Sequence, residues 1–247
     1  MTDPGLTVTG LTVKRGGLTI CDDVSLDVPT GEVTVLLGAN GAGKSTLLDG
    51  VAGVLPGSSG EVRLASTRID RWPRHRRARA GLGYVEQGRT VFSRLTVAQN
   101  ILVADPGGNS LREALEMFPQ LREKVATRAG LLSGGEQQML LIARAMVRRP
   151  RILMIDELSL GLAPRIVSDL MTVVADLARA GTGVLLVEQF ASLALKIGTT
   201  AHLIERGRIT RTESCSQLLQ DPSILENAYL GNASATANSE KSADEAG

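Results

Sequence analysis

Residues 32–54 read EVTVLLGANGAGKSTLLDGVAGV, and this stretch decides the fold. The apolar run at 32–37 predicts a buried strand, and the apolar spacing from 44 to 54 predicts a helix. Between them lies GANGAGKS at 38–45, a glycine-rich turn with the spacing of a phosphate-binding loop. A strand, this turn and a helix in this order indicate a nucleotide-phosphate site; a plain glycine turn is the alternative that this context disfavours.

The chemistry of phosphates assigns a role to each part of the turn. Glycines allow the backbone N–H groups to approach the phosphates, and Lys44 is expected to reach the β and γ oxygens. Ser45 is expected to bind Mg²⁺ through its hydroxyl, and Thr46 to add a contact near the α phosphate. The residues predicted to contact the nucleotide are Gly38, Ala39, Asn40, Gly41, Ala42, Gly43, Lys44, Ser45 and Thr46.

Two acids end the apolar run ILMIDE at 152–157. Buried neighbouring carboxylates need a cation or a chemical role. We predict that Asp156 belongs to the Mg²⁺ shell and that Glu157 orients or deprotonates the water that attacks the γ phosphate. A helix cap or a solvated acid pair is the alternative.

A second glycine turn, LSGGEQQ at 132–138, opens a predicted helix. Its free backbone N–H groups and the positive end of the helix dipole form a second anion site. Because the first turn suffices for one triphosphate, we infer that the second serves the nucleotide of another subunit.

Composition and charge narrow the function classes. The 247-residue chain is 43% hydrophobic and 2% aromatic, with a formal charge of +1, so nothing favours nucleic acid as a partner. Its two cysteines, Cys21 and Cys215, are expected to be reduced. The sequence shows neither a signal-peptide pattern nor a spanning apolar run, so any membrane role is expected to be peripheral.

The remaining patterns predict an α/β fold with helices on both faces of the core sheet. Near-alternating residues in 6–13 and 24–28 predict an antiparallel strand pair, and 100–147 has helical spacing. The apolar runs 152–155 and 184–187 predict central parallel strands. The small, polar tail 232–247 is expected to be disordered.

The motifs GANGAGKST, LLSGGEQQML and ILMIDE, in this order, resemble the nucleotide-binding subunit of an ATP-binding cassette (ABC) transporter. The resemblance spans 5–231. It implies a phosphate-loop NTPase of ABC type, with a mainly parallel core sheet, an N-terminal antiparallel β region and a helical subdomain at about 89–149. It also implies ATP and Mg²⁺ as cofactors, ATP hydrolysis, and a dimer in which Ser133, Gly134 and Gly135 contact the γ phosphate held by the partner.

Three further positions take their roles from this resemblance. Gln87 matches the glutamine that touches Mg²⁺ and the attacking water. Gln189 stands where the family has a histidine at the γ phosphate, so we expect slow basal turnover. Arg15 falls at the adenine-stacking aromatic position, where a guanidinium can stack on a base; a solvated arginine at a strand end is equally compatible.

The segments VEQ at 187–189, ELSLGLAP at 157–164, QGRTVFSRLTVAQN at 87–100 and NAYLG at 227–231 resemble the second ATPase of branched-chain amino acid importers. The resemblance implies peripheral attachment at the cytoplasmic face of the cell membrane. The implied partners are membrane-spanning permease subunits, a second ABC ATPase subunit in a heterodimer or a homodimer, and indirectly a substrate-binding protein. A urea or amide importer, a soluble non-transport ABC ATPase and a non-hydrolysing switch are the alternatives.

Two segments are candidate partner surfaces. Arg71, Arg74, Arg76, Arg77 and Arg79 form a basic cluster, which predicts either a surface for acidic lipid or an acidic partner, or a solvated helix face. The segment 89–95 carries Val91, Phe92 and Leu95, which we predict contact a short helix of a membrane subunit.

Overall fold

The computed structural model describes residues 5–88, 90–105, 109–189 and 191–225. The predicted tail 232–247, the NAYLG segment and Arg89 lie outside them. Within these ranges the strands are β1 (Leu6–Arg15), β2 (Leu18–Val28), β3 (Val33–Leu37), β4 (Ser59–Leu64), β5 (Thr67–Arg68), β6 (Leu82–Val85), β7 (Ile152–Asp156), β8 (Gly183–Glu188), β9 (Thr200–Glu205) and β10 (Arg208–Ser214). The α-helices are α1 (Lys44–Ala52), α2 (Arg74–Arg79), α3 (Val97–Ala104), α4 (Ser110–Met117), α5 (Gly134–Met146), α6 (Pro164–Arg179), α7 (Ala191–Ile197) and α8 (Cys215–Gln220). Two 3₁₀ segments, Pro119–Lys124 and Ala129–Leu131, precede α5.

The strands form two sheets. An antiparallel sheet has the order β2-β1-β4-β5, and a larger sheet has the order β10-β9-β3-β8-β7-β6. In the larger sheet β9, β3, β8, β7 and β6 run parallel, while β10 pairs antiparallel with β9. The predicted antiparallel strand pair and the parallel strands at 152–155 and 184–187 are therefore confirmed.

Alternate residues of the central strands enter two separate cores. In β7, Leu153 and Ile155 join the core beneath α5 and α6, while Ile152 and Met154 join the core between the two sheets. Strand β8 divides in the same way. Parallel strands covered on both faces need apolar side chains at every position, which explains the continuous apolar runs in the sequence.

Helix α1 begins at Lys44 and ends at Ala52, two residues before the predicted end. Gly53 follows with a φ of 73°, a left-handed conformation that terminates helices and favours glycine. The helix is anchored by Leu47, Leu48 and Val51, all buried in the core between the sheets. Its start is therefore held at a fixed position at the end of β3.

The basic cluster is not a single solvated or partner-binding face, because Arg77 is buried. Its guanidinium donates to the carbonyls of Gly50, Val51 and Trp72 at 3.0, 2.6 and 2.9 Å, and to that of Asp70. Its neighbours are exposed: Arg74 pairs with Glu86, and Arg76 lies over the Trp72 ring. Arg77 therefore belongs neither to the predicted partner surface nor to a solvated face, because its side chain points inward to carbonyls at the end of α1.

Among the described residues, no helix is both long enough and apolar enough to cross a membrane. Cys21 and Cys215 are free and buried.

Candidate functional site

A cleft of about 420 Å³ lies at the carboxyl end of β3, beside the glycine turn and the start of α1. Ligands of open α/β sheets bind at this edge, beyond the carboxyl ends of the strands. The structure brings together most residues that the sequence assigned to the site. The lining residues are Arg15, Ile20, Asn40, Gly41, Gly43, Lys44, Ser45, Thr46, Gln87, Glu157, Leu160 and Gln189.

The shape of the loop depends on glycine at two positions. A Cβ on Gly38 would lie 2.4 Å from the Ile204 carbonyl oxygen, so the loop passes β9 too closely for a side chain. Gly43 has a φ of 105° and lies against Cys21, whose thiol donates to the Gly43 carbonyl at 3.3 Å. Backbone N–H groups can therefore face a phosphate without obstruction by side chains.

Lys44 is buried at the base of this loop. Its Nζ donates to the carbonyls of Gly38 and Ala39 at 2.8 and 3.1 Å. Burial lowers the pKa of the lysine, whereas Glu157, Asp156 and Glu188 act to raise it. Three carboxylates thus surround this one ammonium, an arrangement that favours added positive charge near the phosphates.

Asp156, at the end of β7, has the environment of a metal ligand. Burial raises its pKa to about 6, while a hydrogen bond from the Ser45 hydroxyl acts to lower it. Its Oδ1 is buried without a hydrogen-bond partner. An orphaned carboxylate oxygen beside a serine hydroxyl fits Mg²⁺, which takes a few protein oxygens together with phosphate oxygens and water. In the described part of the chain, no group of three or more acidic, histidine or cysteine side chains is placed to hold a metal ion by itself.

Glu157 and Gln87 meet at the open side of the cleft. The Gln87 Nε2 donates to Glu157 Oε2 at 2.5 Å, joining the end of β6 to the end of β7. Glu157 has a φ of 51°, an uncommon left-handed conformation for a residue other than glycine. Such conformations are concentrated at functional sites because the surrounding structure has to enforce them.

Arg15 reaches the cleft from the end of β1. Its Nη2 lies 3.8 Å from Asp49 Oδ2, and Asp49 in turn accepts a hydrogen bond from the Tyr84 hydroxyl at 3.2 Å. The arginine side chain is 59% exposed. Its position suits contact with a base at the mouth of the cleft. No pattern in the sequence indicates that Asp49 and Tyr84 support the arginine.

The second glycine turn lies outside this cleft, at the start of α5. The Ser133 hydroxyl accepts from the Glu136 N–H at 3.3 Å, and Glu136 accepts from the Ser133 N–H at 2.7 Å. A Cβ on Gly135 would lie 2.6 Å from Ile166 Cγ2, so Gly135 also permits α5 to pack on α6. The turn therefore presents a capped helix start whose Ser133, Gly134 and Gly135 do not line the cleft of the phosphate loop.

A phosphate loop on a mainly parallel sheet, two acids at the end of the adjacent strand, and a separate serine-glycine helix start define a nucleotide-hydrolysing cassette. A family model described as ABC transporter matches residues 21–159. The chain belongs to this family and is an ATPase.

Known proteins with similar sequences include transport ATPases of different systems. The chain is 41% identical to the high-affinity branched-chain amino acid transport ATP-binding protein BraG of Pseudomonas aeruginosa, over 87% of this chain and 95% of BraG. It is 32% identical to the lipopolysaccharide export system ATP-binding protein LptB of Escherichia coli, over 92% of this chain and 97% of LptB. The structure of MJ1267, an ATP-binding cassette of an ABC transporter, matches with a TM-score of 0.80 at 26% identity, covering 90% of this chain and 98% of that one.

Proposed function

We propose that this chain is the ATP-hydrolysing subunit of an ABC importer for branched-chain amino acids, and that ATP-driven closure of a cassette dimer energises transport. The observation that carries the hydrolytic part is the Glu157–Gln87 pair beside the phosphate loop. The pair places an acid and an amide at the open side of the cleft, where a water can approach the terminal phosphate.

The proposed mechanism assigns one task to each side chain. Lys44 leaves the loop carbonyls and binds the β and γ oxygens, while backbone N–H groups of the loop hold the other phosphates. Ser45, Asp156 and Gln87 would hold Mg²⁺, and the ion would supply positive charge that offsets the charge of the phosphates. Glu157 accepts a proton from, or orients, the attacking water. Gln189 donates to the γ phosphate from the opposite side of the cleft.

The position of the second glycine turn outside the cleft lining supports a dimeric active site. Ser133, Gly134 and Gly135 lie outside the cleft of their own chain, and in our proposal they complete the site of a second cassette. The favoured partner is a different ATPase subunit that has histidine at the position equivalent to Gln189, which makes the two ATP sites unequal. A homodimer is the alternative.

A groove next to the cleft is the proposed docking place for a permease subunit, with the chain attached peripherally at the cytoplasmic face of the membrane. The groove measures about 280 Å³, and Phe92 and Val103 in its wall are 47% and 55% exposed. The Arg144 guanidinium lies over the Phe92 ring. Two exposed apolar side chains in a groove suit the apolar face of a short helix.

The sequence identity to BraG supports branched-chain amino acids as the solute, since BraG is named as a branched-chain amino acid transport protein. Because the chain is also similar to LptB, other solutes have to be tested as well.

Uptake of labelled leucine, isoleucine and valine should be measured in cells that lack this gene and carry either the wild-type or the Glu157→Gln chain. We expect wild type alone to restore uptake. Normal leucine uptake without the gene, together with lost urea or amide uptake, would assign a related importer instead.

A further inference from the structure

The carboxylate of Glu188 is hydrogen-bonded to Ser159, which lies two residues after the proposed hydrolytic acid Glu157. Glu188, at the end of β8, is fully buried, and its Oε1 accepts from the Ser159 N–H at 3.0 Å. Its Oε2 accepts from the Ser159 hydroxyl at 2.6 Å. Burial raises the pKa of Glu188, and both hydrogen bonds from Ser159 act to lower it. The two-point contact holds one loop residue to the end of a strand with little freedom.

The same loop contains the strained backbone of Glu157, two residues before Ser159. The Glu157 N–H donates to the Val187 carbonyl at 3.0 Å. The loop is therefore hydrogen-bonded to the last residues of β8 on both sides of Leu158. Leu158 itself is buried in the core beneath α6. The backbone on both sides of Leu158 is therefore held by contacts.

We propose that Ser159 and Glu188 are positioning residues, a latch that keeps the Glu157 backbone left-handed and its carboxylate aimed at the attacking water. This inference rests on the hydrolytic role of Glu157 proposed above. Neither latch residue lines the phosphate cleft, so the latch acts through Glu157 and not by contact with ATP.

The latch also joins the two sides of the cleft. Glu188 directly precedes Gln189, and Ser159 lies two residues after Glu157. The residue proposed to activate water and the residue proposed to contact the γ phosphate are therefore held by one pair of hydrogen bonds. Loss of the latch should reduce the fraction of bound complexes with correct geometry and leave the affinity for ATP unchanged.

The test is steady-state hydrolysis of Mg-ATP by the full chain, with Kd measured for a non-hydrolysable ATP analogue and thermal melting measured in parallel. We expect Ser159→Ala and Glu188→Gln each to lower kcat by about tenfold or more. The Kd is judged on Ser159→Ala, where it should change by less than about twofold, because Glu188→Gln also removes a carboxylate that acts on Lys44. The kcat of the double variant should be no lower than that of the more impaired single variant, because both substitutions break the same Ser159–Glu188 contact. Ser159→Thr retains the hydroxyl and should restore most of kcat.

The matched control is a hydroxyl-to-carboxylate bond at the opposite edge of the same sheet. Thr199 Oγ1 donates to Glu32 Oε2 at 2.8 Å, and Thr199→Ala removes that bond. We expect the control to leave kcat unchanged, even where its melting temperature falls as far as that of Ser159→Ala.

The outcomes separate the latch from the role of Glu157. A normal kcat in Ser159→Ala and Glu188→Gln, alongside an inactive Glu157→Gln, overturns the latch alone. Independent losses that multiply in the double variant, or a parallel rise in the Kd of Ser159→Ala, also overturn it. Wild-type hydrolysis by Glu157→Gln overturns the proposed role of Glu157 and the latch with it.

Discussion

Arg15 lines the cleft at the position where the family resemblance leads one to expect an aromatic ring, and in our proposal its guanidinium stacks on the nucleotide base. A guanidinium stacks on any base, since stacking does not read the hydrogen-bonding edge. We predict that ATP and GTP bind with dissociation constants within about threefold of each other. Arg15→Ala should weaken both by about fivefold, as measured by titration calorimetry. A preference for ATP that survives in Arg15→Ala would show that other groups read the base.

Gln189 gives a second prediction on single side chains. Glutamine donates a hydrogen bond but carries no charge, so it stabilises the charge of the transition state less than a protonated histidine does. In the assembled complex, Gln189→His should raise the ATPase rate by about threefold or more. An unchanged rate would mean that the histidine of the other site, or another step, limits turnover.

At the scale of elements, Arg77 fastens α2 to the end of α1. It donates to four carbonyls, which a lysine ammonium cannot reach together. Arg77→Lys should lower the free energy of unfolding by about 3 kcal/mol, measured by urea denaturation. Arg76→Lys is the control, because Arg76 is exposed on the same helix and should change stability by less than about 0.5 kcal/mol. Equal effects of the two substitutions would contradict the role assigned to Arg77.

Strand β9 contains a buried histidine that makes stability depend on pH. His202 Nδ1 lies 2.9 Å from Thr212 Oγ1 on β10, while Nε2 is buried without a partner. Burial lowers the pKa of His202, and Asp27 acts weakly to raise it. The folded chain therefore keeps the ring neutral, whereas the unfolded chain binds a proton below about pH 6.5. The stability that follows from this difference is present above that pH and is lost as the pH falls.

His202→Gln should remove this pH dependence. As the pH falls from about 7.5 to 5.5, the wild-type chain should lose unfolding free energy that the variant retains. The exposed His75 provides the control, since His75→Gln should follow the wild-type pH profile. A variant profile parallel to that of wild type would contradict the assignment.

Elements with strong local signals were predictable, and contacts between distant segments were not. The phosphate loop and the buried strands each follow from a few consecutive residues, whose spacing reveals a turn, a helix or a covered sheet. The Ser159–Glu188 contact joins residues 29 positions apart, and Arg77 meets Gly50 across 27 positions. No pattern in the sequence singled out Glu188 or named its partner.

For the whole molecule, the site is built from one edge of the core sheet. Strand ends β3, β6, β7 and β8 supply the phosphate loop, Gln87, the two acids and Gln189 in turn. The start of α5 is the exception, because Ser133, Gly134 and Gly135 do not line the cleft, and in our proposal they serve the nucleotide of a second cassette. Closure of two cassettes on ATP would therefore assemble each site from two chains.

The most direct measurement is Mg²⁺-dependent ATP hydrolysis by the full chain in the assembled complex, compared with Glu157→Gln, with binding of labelled ATP followed in both. The account predicts that the variant binds ATP with an unchanged dissociation constant and hydrolyses it about 100-fold or more slowly. Hydrolysis at the wild-type rate by Glu157→Gln would contradict it.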